Sequence, residues 1–408
     1  MSKARFSLKI AACALLCGVG LAAQAAPVQA WRQSGYDAAQ TRYNPNESQL
    51  NSNTVARLRP VWSAETAFYR TAPIAEADGV VYQCGSNLTA HDPTTGVVLW
   101  SVPGCGTAPA LVGNLVLGSA VSGHSMVEVG AYNKNKAGAK VWRQTFAGEH
   151  ISAPTVANGV VYVSVSYGFQ NIAPPSVYAL DAKTGVVLWQ GQAPADKTIF
   201  YDNGVSVADG VVYLSDHDWV PKPKGRGRIT AFDAITGTQL WSVIRSTLYV
   251  PVAVADGLVY FGEESGRATA LDAKTGAEVW SLPKKASGWL FLSPAVAGGT
   301  VLFPAPGGVA AFEGKTGKPL REFRISAARL SSDIVVANNV VYLTLDSFGP
   351  GAIHTLFALD FFSLMPVYTS RPLGGSDSMA YSLQVVDGKL YASDTNGSLR
   401  AYGLPPQP

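Results

Sequence analysis

Asp272-Ala273-Lys274-Thr275-Gly276-Ala277-Glu278-Val279-Trp280 decides the fold, because the same pattern returns along the chain. Gap-free copies of its Asp-x-x-Thr-Gly-x-x-x-Trp core run from Asp92 to Trp100, Asp181 to Trp189 and Asp233 to Trp241, with a weaker one from Glu313 to Arg321. The copy from Asn133 to Trp142 carries one extra residue, and the copy from Asp360 to Tyr368 has Leu364 in place of the glycine. Ahead of each core lies a Val-Val-Tyr-like segment introduced by Asp-Gly or Asn-Gly, as in Asp78-Gly79-Val80-Val81-Tyr82 and Asp209-Gly210-Val211-Val212-Tyr213. An eighth such segment, Asp387 to Tyr391, runs on to Tyr402.

Each unit reads as four short strands. Asp-Gly and Asn-Gly tolerate the positive φ of tight hairpins, and Val-Val-Tyr has the β-branched and aromatic bias of a strand. Trp100, Trp142, Trp189, Trp241 and Trp280 recur at steps of 42, 47, 52 and 39 residues. Such steps match the ~40–50 residues of a four-stranded propeller blade. A linear β-solenoid usually has shorter turns, and no stretch after the first thirty residues has a sustained helical period. The expectation is an all-β, eight-bladed propeller over residues 31–404, with 405–408 as a tail. The last unit lacks its fourth strand, while Leu58-Arg59-Pro60-Val61-Trp62 supplies a spare one 38 residues before Trp100. That strand should complete blade eight and close the ring, hiding edges that invite aggregation.

Residues 1–25 read as a cleaved signal peptide: Lys3, Arg5 and Lys9, an apolar run from Ile10 to Ala23, then Ala23-Gln24-Ala25 as cleavage site, with Val28-Gln29-Ala30 as a second one. The expected compartment is the periplasm or the exterior, and no later segment is long and apolar enough to span a bilayer. Without the signal, 28 basic residues face 28 acidic ones, which argues against a nucleic-acid partner. A monomer is expected. Serine-nucleophile, phosphate-loop and zinc spacings do not occur.

The Asp-Ala-Lys-Thr-Gly-x-x-x-Trp core resembles the tryptophan-docking repeat of propellers of the pyrroloquinoline-quinone (PQQ) type. The opening Trp31-x-x-Ser-Gly-Tyr-Asp37, Thr41-Arg42-Tyr43-Asn44-Pro45 and Asn53-Thr54-Val55 is similar to the start of quinoprotein alcohol dehydrogenases. Active members of that family bind PQQ and calcium on the propeller axis, with Glu, Asn and Asp at the metal, an Asp base, an Arg on the quinone, a stacking Trp and often two adjacent cysteines. This chain has no Cys-Cys pair and no Cys-x-x-Cys-His, and it lacks the long insertions of those enzymes. The family's other branch comprises protein-binding propellers, including the lipoprotein of outer-membrane β-barrel assembly.

Strand alternation assigns the Asp-Gly and Thr-Gly hairpins to one uniform rim. Second-to-third-strand loops and blade crossings share the other, variable rim, where scaffolds usually carry function. Glu149, His150, Asp202 and Asn203 enter blades three and four there and form a candidate oxygen-rich set for calcium or a cofactor. Asp216-His217-Asp218-Trp219, followed by a Pro/Gly/Lys-rich run to Arg226 and Arg228, reads as a flexible partner-contact loop, with metal ligation by Asp216, His217 and Asp218 or a general-base role for His217 as the alternatives; replacing those three together by alanine should barely alter stability. Tyr69, Arg70, Tyr249, Trp289, Arg329, Met379 and Tyr381 should face the same mouth, Trp289 and Arg329 as cofactor candidates. The repeated tryptophans read as packing between blades. Cys84 and Cys105, the cysteines left after signal removal, fall on the variable rim and should form a disulfide. The expected function is an exported, non-catalytic scaffold binding a protein or polymer at the variable rim. The alternative is a compact PQQ- and calcium-dependent dehydrogenase of alcohols or sugars.

Overall fold

A computed structural model describes residues 30–65, 73–168, 173–195, 200–218, 225–283, 292–347, 354–370, 381–394 and 397–406. They form an eight-bladed β-propeller of antiparallel four-stranded blades, of which blade three carries one short additional strand and blade seven two, one of them Tyr43–Asn44 in parallel pairing. Blade four is representative: Phe200–Ala208, Val211–Asp218, Arg226–Asp233 and Gln239–Ser246, paired in that order from axis to periphery. In blade eight the outermost strand is Arg59–Glu65, which pairs antiparallel with Ser398–Gly403 and sets Trp62 opposite Ala401. The N-terminal strand closes the ring as the repeat arithmetic requires.

The recurring tryptophans explain the recurring glycines. Five indole N–H groups donate to a carbonyl in the turn of the next blade: Trp62 to Pro93, Trp142 to Ala182, Trp189 to Ala234, Trp241 to Ala273 and Trp280 to Gly314, at 2.8–3.1 Å. The ring lies flat against the Thr-Gly turn. At Gly237 a Cβ would fall 2.7 Å from the Trp189 ring, and the backbone sits at φ +72°, so close approach and handedness both demand glycine. Blade six ends in Arg321 rather than tryptophan. The Arg321 guanidinium donates to Phe361 O and lies 5.3 Å from the Phe361 ring centre. With no indole to accommodate, blade seven carries Leu364 at φ +56° where the glycine would be. The two irregularities in the repeat are one substitution seen from both sides.

The opening segment does more than lead into the closing strand. Trp31 exchanges backbone hydrogen bonds with Glu76 of blade one, and Leu111 N donates to Arg32 O. Gln33 bonds both backbone groups of Val156. Val207 and Val254 donate to Ala38 and Ala39, Val296 to Thr41 and Val336 to Arg42, while the Asn44 amide donates to Val385 O. All eight partners stand at one repeat position, two residues before the first-hairpin turn of their blade. Residues 31–44 thus visit the innermost strand of every blade in turn and cap the central channel at the uniform rim.

Candidate functional site

The two ends of the Asp216–Arg228 stretch, expected as a flexible loop, are paired antiparallel strands; residues 219–224 between them lie outside the described residues. Asp216 stands opposite Arg228 and His217 opposite Gly227 in the ladder between Val211–Asp218 and Arg226–Asp233. Arg228 Nε and Nη2 donate to Asp216 Oδ2 at 3.1 and 2.9 Å, and Arg226 donates to both Asp218 oxygens at 2.6 and 3.0 Å. Asp216, Asp218 and Arg228 are all buried, so as accessible contact residues these three are corrected to an internal clamp, and the expected indifference to triple alanine substitution is withdrawn with it. Sequence reasoning took the Pro/Gly/Lys run as flexibility for the whole segment. The missed signal was symmetry, since Asp-x-Asp and Arg-x-Arg flank the run at spacings that a hairpin brings opposite each other. Burial pushes the Asp216 carboxyl up to about 7 against the pull of Arg228.

Blade three hands its polar groups to blade four in the same inward manner. Asp202 accepts from Ser164 Oγ at 2.7 Å and from Ser166 Oγ at 2.5 Å, and burial raises its pKa. Asn203 is held at both ends, its amide donating to Leu248 O at 3.0 Å and its Oδ1 lying 2.8 Å from His217 Nδ1. Burial lowers the His217 pKa to about 4, so at neutral pH the imidazole is uncharged with its Nδ1–H given to Asn203. The rings of His150, Tyr201, His217 and Tyr249 follow one another with centroids 5.3, 5.6 and 5.0 Å apart. The outcome is a half-buried aromatic ledge across the mouths of blades three to five, on which His150 is exposed and Glu149 intermediate. Of this ledge the sequence reading had picked out only His150, His217 and Tyr249.

Arg329 lies across the ring in blade seven, where it reaches Asp346 at 3.5 Å. Asp346 also accepts from Ser331 and pairs with His354 Nδ1 at 2.6 Å. Trp219, Trp289, Tyr69, Arg70, Met379 and the side chain of Tyr381 lie outside the described residues. The proposed pairing of Cys84 with Cys105 is present, with a Cα–Cα distance of 5.2 Å and both residues buried.

Calcium needs about six to eight oxygen ligands converging on one point. Among the described residues no three His, Cys, Asp or Glu side chains converge so as to hold a metal ion. Both Asp202 oxygens serve serine hydroxyls, both ends of Asn203 are engaged, and Asp216 and Asp218 face arginines. The donor set Glu149, His150, Asp202 and Asn203 therefore does not fit a calcium–quinone centre, and Arg329, directed at Asp346, sits with a different cluster. What the arrangement does well is hold a ledge of rings while Asp202, Asp216 and Asp218 are paired within the blades.

Comparison with known proteins places this geometry. The family described as "Outer membrane protein assembly factor BamB" matches residues 85–243 and 176–347. The dehydrogenase subunit of a quinone-dependent alcohol dehydrogenase from Komagataeibacter europaeus is 36% identical over 223 residues, 52% of this chain and 24% of that relative, so the chain spans about a quarter of the curated relatives it matches. Among solved structures, the quinohemoprotein alcohol dehydrogenase of Comamonas testosteroni superposes with TM-score 0.69 at 17% identity, covering 93% of this chain and 81% of that one. BamB from Moraxella catarrhalis superposes with TM-score 0.59 at 17% identity, covering 85% and 99%. At these identities the superpositions speak for the fold alone. With the family match spanning more than half of its length, the chain belongs to the PQQ-like β-propeller family described by the BamB assembly factor.

Proposed function

We propose that this chain is an exported, non-catalytic propeller that docks a protein or polymer partner on its variable rim. The observation that carries the reading is the fate of the rim's charges. Asp202, Asp216, Asp218 and Arg228 are spent on partners within the blades, which leaves Tyr201, His217 and Tyr249 as a preorganised aromatic ledge. Aromatic side chains on a rigid frame offer contact area at little cost in conformational entropy, the composition of binding hot spots. The cap of residues 31–44 leaves the variable rim as the side from which the channel is approached. Export is supported by the basic-apolar-small pattern of residues 1–25 and by the Cys84–Cys105 disulfide.

The quinoprotein relatives give the competing reading its weight, and one experiment separates the two. Purified protein receives PQQ with calcium, and separately PQQ with a lanthanide, and is then scanned for bound quinone and assayed with alcohols, sugars and an artificial electron acceptor. The expected result is neither quinone uptake nor dye reduction. Uptake with substrate-dependent dye reduction overturns the proposal. In parallel, a photo-crosslinker at Tyr249 should capture a defined partner in the native cell envelope, whereas one at Asp256 on the uniform rim should not.

A further inference from the structure

We propose that the seam where the ring closes holds a second binding site, for a small polyhydroxy ligand such as a polyol or a monosaccharide. A cavity of about 210 Å³ lies in the groove between the closing strand of blade eight and blade one, lined by Glu65, Gln83, Asn87, Thr89, His91 and Ser101 among others. It is smaller than the roughly 300–1,000 Å³ of sites for drug-sized molecules, so its ligand is small. Most of the lining residues carry polar groups, and the repeat itself shows how unusual two of them are.

The departure from the repeat is specific. His91 occupies the position just before the Asp-x-x-Thr-Gly turn. Its counterparts are Tyr132, Leu180, Phe232, Leu271, Phe312, Leu359 and Tyr402, apolar or aromatic throughout. Gln83 follows the strand tyrosine, where the other blades have Gly118, Val163, Leu214, Phe261, Phe303, Leu343 and Ala392. Both residues are buried, each with 2% exposure. Among the described residues, Gln83 Oε1 and His91 Nε2 have no hydrogen-bond partner. A buried acceptor without a donor costs stability, of which the equivalent leucine would cost none. Local departures of this kind mark sites kept for something other than folding.

The chemistry of the lining defines the ligand. His91 Nδ1 lies 3.1 Å from Gly96 O, so it carries the proton and leaves Nε2 as a bare lone pair; burial holds the ring pKa down and keeps it neutral. Gln83 Oε1 and the Glu65 carboxylate add further acceptors. Among the described residues the Glu65 oxygens are met by Ser398 Oγ alone, at 3.0 and 3.1 Å. Thr89 and Ser101 share one hydrogen bond at 3.1 Å and supply hydroxyls that can turn either way. The amides of Gln83 and Asn87 add donors, so the lining offers both acceptors and donors, and the matching molecule is one whose several O–H groups can act as either. Trp62 stacks on His91 with centroids 6.2 Å apart, which sets an optical reporter beside the site.

Full-length protein in polyol-free buffer is titrated with erythritol, myo-inositol and D-glucose, followed by tryptophan fluorescence and calorimetry. At least one should bind saturably at one per chain. His91→Leu, which restores the residue of blades three, five and seven, should weaken binding about tenfold or more and melt no lower than wild type. Gln83→Val, which introduces the residue that blade three has at Val163, should do the same. Three outcomes overturn the proposal: no saturable binding by any of the three probes, undiminished binding by both variants, or a lowered melting temperature for His91→Leu, which would make the histidine a structural residue.

Discussion

The two rims use the same residue for opposite purposes. On the uniform rim, Asp92, Asp181, Asp233 and Asp272 accept the backbone amide and the hydroxyl of the threonine three residues on, in turns open to water. Those bonds favour the ionised carboxylate and hold each pKa below its ordinary value. On the variable rim, Asp202 and Asp216 are withdrawn from water, and burial lifts their pKa values despite serine and arginine partners. One rim spends its carboxylates on turns that any blade can reuse. The other spends them on joining particular strands, Asp202 across blades three and four and Asp216 across a single hairpin. Identity of sequence thus tracks interchangeability of role, and the variable rim is variable because each cluster there solves a different packing problem.

The comparison breaks most severely if the cap of the uniform rim is removed. Deleting residues 30–65 takes away the hydrogen bonds to all eight innermost strands and the outermost strand of blade eight. The expected product aggregates or loses cooperative thermal unfolding, since an open edge and an uncapped core appear together. A soluble truncation with a single sharp calorimetric transition contradicts the closure.

Next in size is Asp216→Ala on the variable rim. It leaves the buried Arg228 cation without its carboxylate, a loss of about 3–5 kcal/mol, comparable with a large-to-small change at a docking tryptophan such as Trp241. Chemical denaturation measures both. Asp216→Leu combined with Arg228→Met should recover most of the loss, because replacing both members removes the stranded charge. A cost under about 1 kcal/mol for Asp216→Ala would return this hairpin to the class of an ordinary exposed loop.

That prediction reverses the sequence-based expectation, and the reason is instructive. The eight blades, the closing strand and the Cys84–Cys105 pair were legible because each rests on a position repeated down the chain or on simple alternation of rims. Asp216 and Arg228 were not, because the ladder they extend is common to all eight blades while the Asp–Arg pair at its end occurs in blade four alone, so no repeated position announces it. The capping role of Trp31 to Asn44 was hidden for a different reason: its bonds to Leu111, Val207, Val254, Val296 and Val336 are made by backbone groups, which no side-chain pattern announces. Tyr201 was passed over because its neighbours Asp202 and Asn203 looked more chemical, although both are consumed internally. His91 and Gln83 were visible as breaks in the repeat, yet only the cavity beside them makes the breaks meaningful.

Glu76, under the cap, gives the uniform-rim end a pH signature of its own. It is buried, and desolvation raises its pKa from 4.5 to about 8, only partly offset by Lys389 and the neighbouring Tyr391 hydroxyl. A carboxyl with a raised folded-state pKa binds its proton more tightly when folded, so its contribution is present below about pH 4.5 and is lost as pH rises through about 8. Glu76→Gln keeps the shape and removes the titration. Relative to wild type the variant should gain on the order of 1–3 kcal/mol between about pH 5 and about pH 8.5. A gap between the two proteins that stays constant across that window shows that Glu76 is ionised throughout.

The smallest effect belongs to a single turn of the uniform rim. Asp233→Ala removes the acceptor for Ile235 N, Thr236 N and Thr236 Oγ1, but all of these groups can turn to water instead, so little is left buried and unpaired. The turn is also held by Gly237 N donating to Asp233 O, a backbone bond the substitution spares, and by Trp189, whose N–H reaches Ala234 O. A fall of about 1–2 °C in melting temperature is expected, and because the lost bonds favour the charged carboxylate, the fall should be largest above the ordinary carboxyl pKa and be lost as pH falls through the lowered folded-state value. If Asp233→Ala were instead as damaging as Asp216→Ala, the turn carboxylates would be holding blades together rather than shaping hairpins, and the contrast between the rims would fail at its simplest point.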